Sequence, residues 1–184
     1  MNITRRLTVA FFAIAFSALT WAQGLTTAQL VTLAAHIRAN ADPAVVAALA
    51  NGADNEIARL YNLDAVPAFV VWRTNVTNDE LGDAMNGTEV AGLSSLNMQR
   101  LQVLAAYSGG SQNMSRADRR SAFDQVFSGA GGATTRAAMA VLWKRNARLV
   151  EKVFATGTGS TGSPATLVYE GTISGDDVSR ALRP

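Results

Sequence analysis

Apolar residues recur along this chain in steps of three and four, which is the pattern of helices that bury one face. The longest run covers residues 134–156, and the apolar side chains on its single stripe are Met139, Leu142, Trp143, Leu149, Val150 and Val153. A glycine-rich stretch at 129–132 precedes this run, Thr134 or Thr135 can cap it, and Gly157 can end it. We therefore predict one long helix over 134–156.

Shorter runs of the same kind predict further helices within residues 25–156. One begins at Thr26 or Thr27, and another follows Asp42 with Pro43 in its first turn. A third starts near Thr77, with acidic residues in its first turn where the helix dipole favours them. The run at 88–107 predicts one long helix or two abutting ones.

Two segments favour extended structure instead. Residues 69–72 are β-branched and aromatic, which is typical of a strand, although no partner strand is evident nearby. Residues 166–169 have a similar composition. The predicted fold is therefore all-α, an irregular multi-helix bundle around the helix at 134–156 with minor extended or β elements near 69–72 and 166–169. The expected central residues are Leu104, Phe123, Phe127, Leu142 and Leu149, and Trp143 is also expected in the core.

The chain divides into three parts on composition. Residues 25–156 form the predicted helical domain. Residues 157–184 begin with the flexible sequence GTGSTGSP and continue as a C-terminal arm, which can pack on its own domain or reach a neighbouring subunit.

Residues 1–22 resemble a secretory signal peptide. A basic start, MNITRR, precedes the apolar run LTVAFFAIAFSAL, and Ala22 occupies the last position of a cleavage-like site. The run is too short to span a bilayer comfortably, so no stable membrane span is expected. The alternatives are an uncleaved anchor and a start codon assigned upstream of the true one.

Composition excludes several kinds of chemistry. The 184 residues include 16 basic and 14 acidic side chains, one histidine and no cysteine. Without Arg5 and Arg6 the basic and acidic residues balance at 14 each, so the body gives no reason to expect nucleic-acid binding. The absence of cysteine excludes disulfides and a thiol nucleophile, and the single histidine, His36, excludes a multi-histidine metal site.

No motif assigns a catalytic, cofactor-binding or metal-binding residue. The glycine-rich stretch lacks the lysine of a P-loop and the third glycine of a dinucleotide fingerprint, so a helix connector is the simpler interpretation. Asp79, Glu80 and Asp83 suggest a metal site only by composition, since they lack the spacing of a calcium loop. His36 has no evident catalytic partner. No small-molecule substrate is indicated.

Protein contacts are the remaining hypothesis for binding. Trp and Arg dominate the energetics of many interfaces, and the candidate contact residues are Trp72, Arg73, Arg119 and Arg120. The competing interpretation places Trp72 in the core and the arginines on a solvated helix face.

Four segments resemble a known family: VPAFVVWRTNV, GTEVAGLSSLNMQRLQVLAAYSGG, ADRRSAFDQVFSGAGGATTRAAMAVLWKR and ATGTGSTGSPATLVYEGTISGDDV. They are similar to small proteins of the structural modules of tailed bacteriophages and prophages, over about residues 25–178. The resemblance implies a non-enzymatic virion-associated structural or assembly protein, at the head–tail connection or tail. It implies phage structural proteins or self-association as partners, and the virion or host cytoplasm as location.

Residues 1–24 fall outside this resemblance, because related chains begin near the position of Leu25. A working signal at 1–22 would instead indicate an exported small binding protein of the bacterial periplasm or envelope.

Overall fold

The computed structural model describes residues 24–106 and 108–184 and is helix-rich, as the sequence predicts. Within these ranges the helices are α1 (Thr27–Ala39), α2 (Pro43–Ala50), α3 (Asp54–Tyr61), α4 (Asn78–Ala84), α5 (Gly87–Ala91), α6 (Ser95–Ala106), α7 (Ala117–Val126), α8 (Ala133–Leu142), α9 (Leu149–Phe154) and α10 (Gly175–Leu182). The strands are β1 (Val70–Trp72), β2 (Val76–Thr77), β3 (Ser111–Gln112) and β4 (Lys144–Asn146). The signal-like segment 1–22 lies outside the described residues. None of the helices described is long and apolar enough to cross a membrane.

Local capping signals fix where several helices begin. The side chains of Thr26, Thr77 and Ser174 each accept a hydrogen bond from the backbone N–H three residues on, and the side chain at that residue bonds back to the cap. α2 begins at Pro43 after Asp42, whose carboxylate accepts from a backbone N–H of the first turn. All of these starts follow from short-range chemistry, and those at Thr26, Pro43 and Thr77 agree with the starts predicted from the sequence.

The single long helix predicted over 134–156 is not confirmed. This segment forms α8, then strand β4, then α9. β4 pairs antiparallel with β1, so that Val71 lies opposite Arg145 and Trp72 opposite Lys144. The strand at 69–72 therefore exists, and its missing partner lies inside the segment that the periodicity assigned to a helix.

Backbone hydrogen bonds around Ala147 explain the break. Its N–H donates to the carbonyl of Phe69 at 2.8 Å, and its carbonyl accepts from the N–H of Ala65 at 2.9 Å. Ala147 is fully buried against Val71 and Ala165. A continuous helix would bring none of these groups together, so tertiary pairing overrides the helical periodicity here.

The other extended elements are smaller. β2 and β3 pair antiparallel, with Val76 opposite Gln112. Near 166–169, the structure has isolated bridges only, from Ala165 to Val71 and from Thr166 to Thr156. Over residues 24–106 and 108–184, the β content is thus two two-stranded sheets and a few bridges among the helices.

Three clusters of buried side chains form the core. The first joins α1, α2, α3, α9 and α10, and its largest members are Leu33, Ile37, Ile57, Tyr61, Val150 and Val178. The second joins β2, α4, α7 and α8, and it contains Leu81, Met114, Phe123, Phe127, Met139 and Trp143. The third is the small group Val71, Ala147 and Ala165. Of the expected central residues, Phe123 and Phe127 are buried, whereas Leu104, Leu142 and Leu149 are half-buried at the edges.

Residues 157–184, for which we expected a flexible linker and an arm, contact the body at several points. The carbonyl of Gly159 accepts from the N–H of Val70 at 2.7 Å. The amide of Asn62 and the backbone of Ile173 exchange two hydrogen bonds, at 2.8 and 2.9 Å. α10 then packs on α1 and α3 and contributes Val178 to the first cluster.

A substitution at Gly159 tests whether residues 157–184 pack on the body. Gly159 is buried and has a φ of 66°. A Cβ there would collide with the Phe69 ring. We expect Gly159→Ala to lower the free energy of unfolding by about 2–4 kcal/mol, because a left-handed backbone and overpacking both oppose a side chain. Urea denaturation measures the change.

Gly162→Ala is the matched control for this prediction. Gly162 lies in the same loop, is exposed and has open space around its Cα. This variant should stay within about 0.5 kcal/mol of the parent chain. Equal unfolding midpoints for the two variants would contradict the packed arrangement of the loop.

Candidate interaction surface

Three of the four predicted contact residues lie together, at the end of β1. The Arg120 guanidinium stacks on the half-buried Trp72 ring, 3.8 Å from its centroid. Arg73 follows Trp72 and donates two hydrogen bonds to Glu80, at 2.8 and 3.0 Å. Arg119 is half-buried on α7, beside Arg120 in the chain. Trp72, Arg73 and Arg120 thus make contacts within the chain, which leaves them less available to a partner.

The acidic residues considered as metal ligands are partly committed to this same region. Glu80 accepts from the N–H of Thr77 at 2.9 Å, and this bond together with Arg73 holds its pKa below the ordinary value. Asp79 and Asp83 are exposed. Within the part of the chain that the structure describes, no group of three or more His, Asp or Glu side chains could hold a metal ion.

The glycine-rich loop ends at a helix N-terminus that already holds an anion. α8 has no side-chain cap of its own, so the expected capping by Thr134 or Thr135 is wrong. Instead, the carboxylate of Glu89, on α5, accepts from the N–H groups of Thr135 and Thr134, at 2.8 and 2.9 Å. Hydrogen bonds from Thr135 and then Thr134 lower the pKa of Glu89 to about 2. The chain's own carboxylate therefore occupies the position that a phosphate would need.

His36 is tied to a buried tyrosine. Its Nδ1 lies 2.8 Å from the hydroxyl of Tyr61, which is fully buried, and the Asn40 amide donates to that hydroxyl at 3.2 Å. Because Tyr61 accepts from Asn40, its own proton can go to Nδ1 of a neutral imidazole. Burial, followed by the nearby charge of Lys152, lowers the pKa of His36. This arrangement gives His36 a role in joining α1 to α3.

Glu151 is the most completely buried charge among the described residues, with a side chain that is 0% exposed. It accepts two hydrogen bonds from Arg145, at 2.7 and 2.9 Å, and one each from the backbone N–H groups of Arg148 and Gly171. Burial alone would raise the pKa of Glu151, but these donors outweigh burial and lower it. Arg145 also binds Glu170 at 2.9 Å.

A polar cleft of about 510 Å³ lies beside this buried pair. Its charged lining consists of Asp64, Arg73, Lys144, Arg145, Arg148 and Glu170. Arg73 and Arg145 are already paired with carboxylates, and Lys144 donates to the carbonyl of Thr161 at 3.0 Å. The cations of the cleft are thus mostly engaged within the chain.

Helix α6 presents a different kind of surface. Its inward residues, such as Leu101 and Leu104, are half-buried against the second core cluster, and α6 packs on α7. None of its described residues is fully buried. On the opposite face Leu96 and Val103 are 55% and 53% exposed.

Two apolar grooves flank α6. One, of about 210 Å³, lies against α4 and is lined mainly by Leu81, Met85, Met98, Leu101 and Phe123. The other, of about 430 Å³, lies against α7 and is lined mainly by Leu96, Val103, Leu104 and Ala122. Among the described residues that line either groove, Arg100, in the groove against α7, is the one charged side chain. We call α6 with these two grooves the α6 surface.

This surface was not predicted from the sequence, because the apolar residues of 88–107 were used only to predict one or two helices. A signal was nevertheless present in the sequence. Leu96, Gln99, Val103 and Ala106 follow a three–four–three spacing on the face opposite Leu101. A helix with an apolar residue on both faces and one charge in twelve residues is unusual for a solvated exterior.

No family model, no curated protein and no solved structure matches this chain.

The buried ion pair generates a stability prediction. Arg145→Ala would leave the Glu151 carboxylate buried without its bidentate partner and with only the Arg148 guanidinium, 3.7 Å away, as a counter-charge, so we expect a loss of about 3 kcal/mol in the free energy of unfolding. The double variant Arg145→Met/Glu151→Leu should recover only part of this loss, because it removes both charges together but leaves the N–H groups of Arg148 and Gly171 without their acceptor. Chemical denaturation of the three chains measures both effects.

Arg59→Ala is the control for the buried pair. Arg59 binds Glu56 bidentately on the exposed face of α3, at 2.7 and 2.8 Å, so the bonding resembles that of Arg145 without the burial. Its unfolding midpoint should change little. If Arg145→Ala lowered the free energy of unfolding no more than Arg59→Ala does, the stabilising role given to the buried pair of Arg145 and Glu151 would be wrong.

His36 generates a pH prediction. Its pKa is lower in the folded than in the unfolded chain, so the unfolded chain binds the proton more readily. This contribution to stability is present above the unfolded pKa of about 6.5 and is lost progressively as the pH falls below it. His36→Gln, whose amide oxygen can accept from Tyr61, should remove that part of the pH dependence. Urea unfolding midpoints measured between about pH 5 and 8 test this. The same dependence of the midpoint on pH in the parent chain and in the variant would contradict it.

Proposed function

We propose that this protein is a non-enzymatic structural or assembly protein of a tailed bacteriophage or prophage, acting at the head–tail connection or tail. It contacts other proteins of the particle. It resides in the virion, or in the host cytoplasm during assembly.

The α6 surface is the observation that carries the proposal. It combines exposed Leu96 and Val103 with two apolar grooves and a single charge, Arg100. Depletion of charge over an apolar patch is the composition of the centre of a protein–protein interface. Exposed apolar surface of this kind is typical of sites that a partner protein covers. Such a site is expected on a component of a larger assembly.

The family resemblance supports the particle as the setting. Part of it covers the α6 surface itself, since the segment GTEVAGLSSLNMQRLQVLAAYSGG contains α5 and α6. The non-enzymatic part of the proposal is supported by the internal use of the polar groups. His36 binds Tyr61, and the Glu80 and Glu151 carboxylates bind arginines.

The signal-like pattern at 1–22 favours a second candidate, an exported small binding protein of the periplasm or envelope. The two candidates predict different N-termini and different locations. Cleavage after Ala22 would leave a periplasmic species beginning at Gln23, whereas an assembly protein would begin near Leu25 or at Met1 and sediment with particles.

The proposal is tested by particle incorporation. Particles from an induced host that carries the gene are purified on a density gradient, and the protein is quantified and its N-terminus determined by mass spectrometry. We expect the parent chain in the particle fraction. Leu96→Glu/Val103→Glu should lower its amount about tenfold or more, because two charges enter an interface centre.

Val31→Glu/Val141→Glu is the matched control. These valines are 66% and 76% exposed on α1 and α8 and line neither groove of the α6 surface, so incorporation should stay near that of the parent chain. A protein that is absent from particles and begins at Gln23 in the periplasm would contradict the assembly function and support the exported alternative.

A further inference from the structure

We infer that Asn51 is a site of spontaneous covalent modification, at which the side-chain amide is converted to a carboxylate. The same chemistry is available in sequence at Asn86, where the fold suppresses it. This inference is separate from the proposed function, because it concerns a reaction of the chain with itself and with water, and no partner takes part.

The sequence contains two Asn-Gly pairs, Asn51-Gly52 and Asn86-Gly87. In such a pair the backbone nitrogen of the glycine can attack the side-chain carbonyl carbon of the asparagine. The new C–N bond closes a succinimide ring, the bond to the amide nitrogen breaks, and that nitrogen leaves as ammonia with the proton of the glycine N–H. Water then opens the ring at either carbonyl and gives aspartate or isoaspartate. Glycine favours the attack because no side chain hinders its nitrogen.

Neither asparagine is held in the reactive geometry, so each must move before it reacts. The Cα–C bond of the asparagine has to rotate until the glycine nitrogen lies against the side-chain carbon. ψ is 0° at Asn51 and 118° at Asn86, and both values hold the nitrogen away from that carbon. Both asparagines and both following glycines are exposed, so water reaches either site. The relative rates therefore depend on the hydrogen bonds that each rotation breaks.

Asn51 is held only by the end of α2. Its side-chain amide makes no hydrogen bond within the described part of the chain. Rotation breaks the bond from the N–H of Gly52 to the carbonyl of Leu49, at 3.2 Å, and the bond from Ala53 to Ala48, at 2.9 Å. Both bonds belong to the last turn of a helix, and helix ends open at little cost in free energy. The fold therefore gives Asn51 little protection.

Asn86 is tied to two helices. As the N-cap of α5, its side chain accepts from the N–H groups of Thr88 and Glu89, at 3.0 and 3.2 Å. Its own N–H donates at 3.0 Å to the hydroxyl of Thr135, which is fully buried on α8. Glu89 in turn binds the first N–H groups of α8. Rotation at Asn86 would break the cap and shift α5 against α8, so the fold slows the reaction at this site.

Conversion of Asn51 changes the connection between α2 and α3. Either product places a carboxylate at the C-terminal end of α2, where the helix dipole disfavours negative charge. Isoaspartate also lengthens the main chain by one carbon, which displaces the N–H groups that bind the carbonyls of Leu49 and Ala48. Because α2 and α3 bring Val45 and Ile57 to the first core cluster, we expect the converted chain to unfold at a lower urea concentration.

Peptide mass spectrometry of the full 184-residue chain, sampled during incubation at mildly alkaline pH, tests the inference. Trypsin separates the two sites into the peptides 39–59 and 74–100, and fragment spectra locate the converted residue. The same measurement in urea gives the rate of each site without the fold. Relative to those rates, folding should slow Asn86 at least about fivefold more than Asn51, the factor that corresponds to one N-cap.

Two results would overturn the inference. One is equal slowing of the two sites by folding, and the other is conversion of Asn51 in urea but not in the folded chain.

Thr135→Val provides a matched test of the protection at Asn86. The substitution removes the hydroxyl that accepts from the N–H of Asn86 and keeps the branched shape of the side chain. It should speed conversion of Asn86 about threefold or more and leave Asn51 unchanged, since one hydrogen bond is lost at one site only. Circular dichroism checks that the variant is folded. Equal acceleration at both sites, or none at Asn86, would contradict the protection by α8.

Discussion

The buried carboxylate of Glu151 is the constraint on which much of this structure depends. It can be buried only if donors surround it, and the chain supplies them from three places: the Arg145 side chain on β4, the N–H of Arg148 before α9, and the N–H of Gly171 near the C-terminus. The pair therefore joins a strand, a helix start and the segment that precedes α10. Through Glu170, the same arginine also reaches the rim of the polar cleft.

The interior also accounts for the character of the surface. Arginine provides most of the positive charge of this chain, yet Arg73, Arg120 and Arg145 are directed to Glu80, Trp72 and Glu151. Their use inside the fold moves the best candidate interface from the arginines to α6. There, apolar side chains and amides remain exposed after the core is complete.

The sequence predicted the helix-rich fold, several helix starts and much of the core, but not the break inside 134–156. Capping at Thr26, Thr77 and Ser174 depends on residues three apart, so the sequence contains the whole interaction. The break depends on Phe69 and Ala65, which lie about eighty residues from Ala147 in the chain, and a local periodicity carries no information on so distant a pairing. The same limit applies to Glu89, which caps α8 from α5.

The α6 surface shows most clearly the difference between what the sequence determines and what the tertiary structure decides. The sequence by itself determined that α6 is a helix with few charges and that chemistry based on cysteine or several histidines is excluded, because these follow from composition and spacing. Only the tertiary structure decided which face of α6 is covered, and hence that Leu96 and Val103 are exposed while Leu101 and Leu104 are not. Helical periodicity places residues on faces, but which of two apolar faces meets the core depends on what the other helices bring to it.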